Sequence, residues 1–425
     1  MGIWPPILRN CGGGFYPCSG RATQKQCVAV SGLAGYMLAV SLVLFLDEHL
    51  HLGEGSAARV AGYFFALSYA AAVPGGIITD RFLGASLSMR VAVLCLALGY
   101  ALTVHGSGRA MIGGAVLLLI GSGLFRPSVA TIAGAVGTDR GSNAFRWLYF
   151  VVNVAAIVAP LAAGMLRTRY GFSVIPAMAA MLLALAWLLL WRCRGELHIH
   201  VEARPLTRTV SASDRAHGLR TLTAFLSVFV LLGIALHQTA GTLLFWIRDD
   251  TQRTVLGFTI PPEAFATLPV ALALLYIPLL TLLSCRKSAL LPHLILMSGA
   301  LLSIAAYALM IVAAVLRDGS TLASPLWLIC CLSLLTLSEA LVWPLGMRLI
   351  NTLVPAHRLA QAHGLFCLAT AIGYWLAGEV GALWSRWPHA WFFALLAAVC
   401  VGTLAILSIS DLKHAVSAPS DEGQS

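Results

Sequence analysis

The sequence predicts an all-α membrane protein of twelve transmembrane helices in two six-helix bundles, and three observations predict it. Apolar residues make up 59% of the 425 and charged residues only 10%, with a mean hydropathy of +0.86. A soluble domain carries about 25% charged residues, so this chain has too few ionisable side chains to clothe a water-facing surface. Apolar runs long enough to cross about 30 Å of hydrocarbon as a helix recur along its whole length. A single long polar stretch, residues 195–220, divides them six from six.

The runs fall near 27–46, 57–79, 87–105, 110–136, 143–166, 172–192, 221–247, 264–284, 288–316, 324–353, 362–384 and 389–410. Barrel strands would need segments of about 10 residues with strict alternation, and runs such as MLLALAWLLLW do not alternate. The domains expected are an N-terminal bundle over 1–194, a linker over 195–220, a C-terminal bundle over 221–412 and a tail over 413–425. The net charge of +10 comes from scattered residues, 24 Arg and 3 Lys. They read as topology signals and not as a nucleic-acid surface. Arginines and lysines in the terminal and alternate loops outnumber those opposite by about two to one, which predicts both termini in the cytoplasm of a multi-pass inner-membrane protein. Asp47, Glu48, Glu54, Asp249, Asp250 and Glu263 then fall outside.

The linker GELHIHVEARPLTRTVSASDRAHGLR lacks apolar periodicity and cannot bury a core. Its His198 and His200 read as solvated, and the wide spacing of Cys11, Cys18 and Cys27 does not suit a zinc knuckle. No metal or cofactor is expected. There is no phosphate loop, His-Glu-x-x-His or nucleophile elbow, so the chain does not read as an enzyme.

Four motifs carry the functional reading. The loop after the second run is GGIITDRFLGA: Gly75 and Gly76 let helix backbones approach closely, Asp80 and Arg81 mark the helix end, and Gly84 permits the reversal. This pattern resembles the signature loop of the major facilitator superfamily, whose halves rock about a midplane site. GSGLFRPSVATIAG, FRWLYFVVNVAAIVAP and SEALVWPLGMRLINTLVP follow in order. Together with LLGIALHQTAGTLLFW and the Ile-Pro-Pro before the eighth run, they resemble the proton-dependent oligopeptide transporter family of that superfamily. The resemblance implies a secondary transporter of peptides or peptide-like solutes, with protons and membrane lipid as its other partners.

The same positions stand out on physical grounds. Arg126 lies inside an apolar helix, where a charge costs roughly 2.5–3.5 kcal/mol on insertion scales. It either anchors a solute carboxylate in a wet cavity or sits in a structural pair. Pro127 frees a backbone carbonyl beside it. Tyr149 and Asn153 share a helix face and serve either a solute or interhelical packing; by resemblance, Asn153 holds a peptide amide. Glu339 is an acid in the core of the second half. It can exist charged or neutral, which suits a proton carrier, or it forms a static pair, and Arg126 is its expected partner. Trp343, one turn on, could stack on a solute, with Pro344 and Gly346 weakening that helix for a gate. His237 and Gln238 lie mid-span in the seventh run. Histidine changes charge near physiological pH, so His237 either keeps a protonation step or bonds a neighbouring helix.

The departures from the family matter too. Relatives have Glu-x-x-Glu-Arg-Phe shortly before the tyrosine that aligns with Tyr36; here Val28, Ser31, Gly32 and Leu33 stand there. His237 replaces a glutamate, Arg126 a lysine, and Pro269 an asparagine. The solute-binding set expected is therefore Tyr36, Arg126, Tyr149, Asn153, Gln238 and Trp343, with Glu339 and His237 handling protons. The lost span-one charges keep two alternatives open: an exporter of a peptide-like natural product, and a non-transporting receptor on a carrier scaffold.

Overall fold

The structure, a computed structural model, describes the backbone of residues 20–104, 108–139, 143–192, 212–255, 257–284, 292–317, 322–353 and 359–409. Side chains are described for these residues except 20–29, 130–139, 143–152, 212–222, 255, 281–284, 292, 347–353, 359–363 and 409. His198, His200 and the cysteines at 11, 18 and 27 lie outside the described side chains.

Among the described residues the helices make twelve crossings. The first half comprises α1 (Gly20–Leu44), α2 (Glu54–Ala70) continued by α3 (Ala72–Ile78), α4 (Gly84–Val104), α5 (Gly108–Asp139), α6 (Asn143–Tyr170) and α7 (Val174–Arg192). The second half comprises α8 (Ala212–Leu236) continued by α9 (Thr242–Asp249), α10 (Thr267–Ser284), α11 (Pro292–Leu316), α12 (Pro325–Leu353), α13 (Leu359–Gly381) and α14 (His389–Ile409). Among the described residues ten segments are long and apolar enough to cross a membrane. One of them, Glu54–Val104, contains two crossings. Helix α8 begins at Ala212, inside the stretch read as linker.

The halves repeat one packing scheme. Helix α4 packs on α5 and α7 as α11 packs on α12 and α14, and α1 packs on α7 as α8 packs on α14. The hydrogen bonds repeat as well. Tyr100 of α4 donates its hydroxyl to the Ala34 carbonyl of α1 at 3.1 Å. Tyr307 of α11 donates to the Ala235 carbonyl of α8 at 2.5 Å. A buried phenol in an apolar bundle needs such an acceptor. Between the halves α2 packs against α13, and α6 against α10.

Small residues set how closely these helices approach. A Cβ on Gly123 would meet the Ala71 carbonyl oxygen at 2.7 Å, so α5 lies against the α2–α3 junction. Gly75 stands on the opposite side of this contact, where a Cβ would run into the Gly123 carbonyl oxygen. Gly84 has φ +69, a conformation a side chain rarely adopts, and it turns the chain from the Asp80–Arg81 segment into α4. At the crossing of α2 and α13, a Cβ on Gly62 would lie 2.6 Å from the Gly378 Cα and 2.8 Å from the Tyr374 carbonyl oxygen. Gly62→Val is therefore expected to destabilise the protein by about 1–3 kcal/mol, the cost of overpacking. Thermal denaturation in detergent should show a lowered midpoint, whereas Gly32→Ala, with open space around it, should show none of that loss.

The seventh crossing is not one continuous helix, contrary to expectation. A 3₁₀ turn over His237–Ala240 and a break at Gly241 separate α8 from α9. The break is fixed by Gln238, which donates Nε2 to the Ala377 carbonyl of α13 at 3.0 Å. Gln238 also accepts the Thr242 hydroxyl at 2.8 Å.

Candidate functional site

The face on which α1 starts and α14 ends is called proximal here, and the opposite face distal. Between the halves a column of stacked groups runs from one bundle into the other. The Arg126 guanidinium of α5 lies 3.9 Å over the ring of Tyr69 on α2. Tyr69 stacks on Tyr374 of α13 with centroids 5.3 Å apart, and Tyr374 stacks on His237 at 3.5 Å and 5°. Phe65 of α2 closes on Tyr374 at 5.3 Å. Arg126 and Tyr69 belong to the first half, Tyr374 and His237 to the second.

Glu339 of α12 lies near this column. Arg126 and Glu339 are both exposed on apolar helices, and both act electrostatically on the Tyr374 hydroxyl. Among the described residues they form no ion pair with each other. The expected pairing is thus corrected: the planar guanidinium spends its charge on an aromatic face, and Glu339 stays exposed. Helices α5 and α12 form no packed interface among the described residues.

Distally the halves are tied by charge. Arg248, at the end of α9, contacts Asp47 through Nη1 at 2.6 Å, Glu48 at 3.3 Å and Glu54 through Nη2 at 2.8 Å. Arg167, at the end of α6, contacts Glu48 at 2.9 Å and grips Glu263 with Nε at 2.5 Å and Nη2 at 3.2 Å. Glu263 is wholly buried, and a buried carboxylate persists only with such a partner. Asp47, Glu48, Glu54 and Arg167 come from the first half, Arg248 and Glu263 from the second. Glu48 touches both arginines, so the pairs form one network.

The other expected site residues divide. Tyr36 on α1 is exposed, and Asn153 on α6 is half-buried. Tyr149 falls outside the described side chains. His237 is half-buried in the column. Gln238 is not available to a solute: it is 1% exposed and both ends of its amide are bonded across to α13 and α9. Trp343 is also corrected. It is half-buried and packs against the core of the second half, on Phe366 at 5.1 Å and Phe229 at 6.2 Å. Pro127 and Pro344 sit inside continuous helices, in α5 and α12. A Cβ added to Gly76 would make only ordinary contact, 3.8 Å, with Pro127. Asp80 and Arg81 are exposed at the proximal end of α3 and make no ion pair among the described residues.

Sequence reasoning missed Tyr69, Tyr374 and the distal network. Two tyrosines mid-span and six acids gathered on one side, with Arg167 and Arg248 at helix ends facing them, were the available signals.

The two-bundle fold has counterparts. Residues 27–378 match the model of the Major Facilitator Superfamily. The chain belongs to that superfamily. Within it, the chain is 25% identical to the peptide transporter YePEPT of Yersinia enterocolitica, over 86% of this chain and 87% of that one. It is 23% identical to dipeptide and tripeptide permease A of Proteus mirabilis, over 82% and 83%. Among solved structures, a peptide transporter in complex with alafosfalin superposes with a TM-score of 0.82 at 19% identity, covering 96% of this chain and 97% of that one. A transporter of the same family bound to 5-aminolevulinic acid gives a TM-score of 0.80 at 18% identity, covering 94% and 98%. As a superfamily member the protein is a multi-pass membrane protein with the two-bundle fold of these transporters.

Proposed function

We propose that the protein is a secondary transporter of di- or tripeptides or peptide-like solutes, working by alternating access and coupled to protons. The observation that carries this reading is the placement of Arg126 and Glu339. They are charged residues of opposite halves, exposed on membrane helices beside the column that joins the halves, and the halves are latched distally. The relatives named as peptide transporters and the peptide-like ligands of the solved neighbours support the solute class.

In this reading the distal face is extracellular, the termini lie in the cytoplasm of an inner-membrane protein, and the distal latch closes the extracellular side. A zwitterionic solute offers one carboxylate and one ammonium. The carboxylate takes the Arg126 guanidinium from the Tyr69 face, exchanging a cation–π contact for a bidentate charged pair. Asn153 and Tyr36 line the solute's cleft from α6 and α1. Glu339 holds the proton in one state and releases it in the other, with Tyr374 relaying the presence of solute at Arg126 to it. The span-one acids of the family are absent, which concentrates coupling on Glu339. It also favours, as a second reading, an exporter that runs the same cycle outward.

The test is uptake of labelled dialanine into proteoliposomes with and without an inward proton gradient. The gradient should drive accumulation by the wild type. Glu339→Gln, fixed in the neutral form, should lose that accumulation while still exchanging dialanine down its own gradient. Gradient-driven accumulation surviving in Glu339→Gln would remove Glu339 from coupling.

A further inference from the structure

The crossing of α2 and α13 has a second face. Leu67 and Ile372 lie about 200° around their helices from Tyr69 and Tyr374, and so face away from the stacked column. There the two helices diverge below the Gly62–Gly378 contact and leave a groove of about 360 Å³ lined by Tyr63, Ala66, Leu67, Ala70, Ala371, Ile372 and Trp375. It carries none of the polar groups of the column. Both walls belong to membrane-spanning segments, Glu54–Val104 and Gly364–Gly381.

The groove's distal rim is charged. Arg59 Nε lies 3.2 Å from Glu379 Oε2, and the Tyr63 hydroxyl donates to Glu379 Oε1. Side-chain exposures of 42% for Arg59 and 35% for Glu379 leave both able to take a further partner. At 1.5 Å per residue Arg59 sits about 7 Å inside the start of α2, and the walls from Tyr63 to Ala70 extend roughly 14–24 Å in. A base and an acid at interfacial depth above an apolar slot of leaflet depth match a lipid by both charge and length.

We propose that this groove holds one acyl chain of an aminophospholipid of the ethanolamine type, its phosphate on Arg59 and its primary ammonium on Glu379. The guanidinium fork suits phosphate, and the carboxylate, beyond its contacts with Arg59 and Tyr63, keeps acceptor sites that the N–H groups of a primary ammonium can fill. A quaternary choline has no N–H, and a glycerol head brings no cation to Glu379. One wall comes from each half, so the bound lipid holds the halves in the distally latched arrangement. The inference rests on the membrane-spanning fold and not on the transport reading.

The test is native mass spectrometry of the full chain in mixed micelles. Equal amounts of phosphatidylethanolamine, phosphatidylcholine and phosphatidylglycerol with identical acyl chains are supplied. The wild type should retain one phosphatidylethanolamine with about 10-fold preference, the scale of one charged hydrogen bond. Glu379→Gln should abolish the preference. Ile372→Trp, a change at an exposed wall residue that leaves the rim intact, should lower retention of that lipid, and it carries the test if Glu379→Gln does not purify as a single species. Equal retention of the three lipids, preference persisting in Glu379→Gln, or retention unaffected in Ile372→Trp would each overturn the proposal.

Discussion

Replacing Arg126 with glutamine is expected to lower the kcat/KM for dialanine uptake by about 10–100-fold while leaving the protein monodisperse and its melting midpoint within a degree or two. The size follows from losing one charged hydrogen-bonded contact to the solute carboxylate, roughly 1.5–3 kcal/mol, at about 1.4 kcal/mol per factor of ten. Stability should hold because the guanidinium is exposed and its described contact is the Tyr69 face, a cation–π interaction worth roughly 0.5–2 kcal/mol. Lysine, a point charge without the fork, should keep most of the uptake and lose part of the affinity. A large fall in stability with unchanged uptake per folded molecule would mean that Arg126 holds helices and not solute.

The second large effect is expected at the distal face. Arg248→Gln withdraws the cation shared by Asp47, Glu48 and Glu54, leaving three carboxylates of the first half without the partner that ties them to the second. Apart from Asp249, which Arg248 also contacts, the side chains of this network are no more than 30% exposed, so water screens them weakly. Each charged hydrogen bond lost costs roughly 1.5–3 kcal/mol, enough to shift a two-state equilibrium between the halves by tenfold or more. Hydrogen exchange reads this directly. Amides of Phe45–His49 and of α9 should exchange at least about tenfold faster in Arg248→Gln, scaling with the opening equilibrium. Amides around Leu183 and Ala186 in α7, far from the network, should be unchanged. Unaltered exchange at the distal helix ends would show that the ion pairs decorate the closure without maintaining it.

The parts of this architecture that the sequence displays are those governed by length and by cost. Twelve apolar runs read as twelve crossings because hydrocarbon thickness fixes helix length. Arg126 and Glu339 stood out because a charge in that setting is costly without a wet neighbour. The partner each would choose did not show. Tyr69 contributes nothing distinctive to hydropathy, yet its ring and not Glu339 lies under Arg126. Gln238 was misplaced for a geometrical reason. The 3₁₀ turn at His237–Ala240 advances three residues per turn where a helix advances 3.6, so the face inferred from α8 does not continue to it. Trp343 lies one turn from Glu339, but its ring packs on Phe229 and Phe366 of the second half. The distal network joins residues up to 201 positions apart. Loop charges read only as topology signals cannot reveal such pairing.

The arrangement as a whole claims that solute crosses the membrane through the cleft that Arg126 and Glu339 border. Solute counterflow tests this with the fewest assumptions, because it needs neither a proton gradient nor a stated direction of transport. Proteoliposomes loaded with unlabelled dialanine should take up external labelled dialanine to a transient overshoot, and those containing Arg126→Gln should show little. Saturable dialanine binding to the wild type without any exchange across the bilayer would contradict the account and leave a receptor built on a carrier's fold.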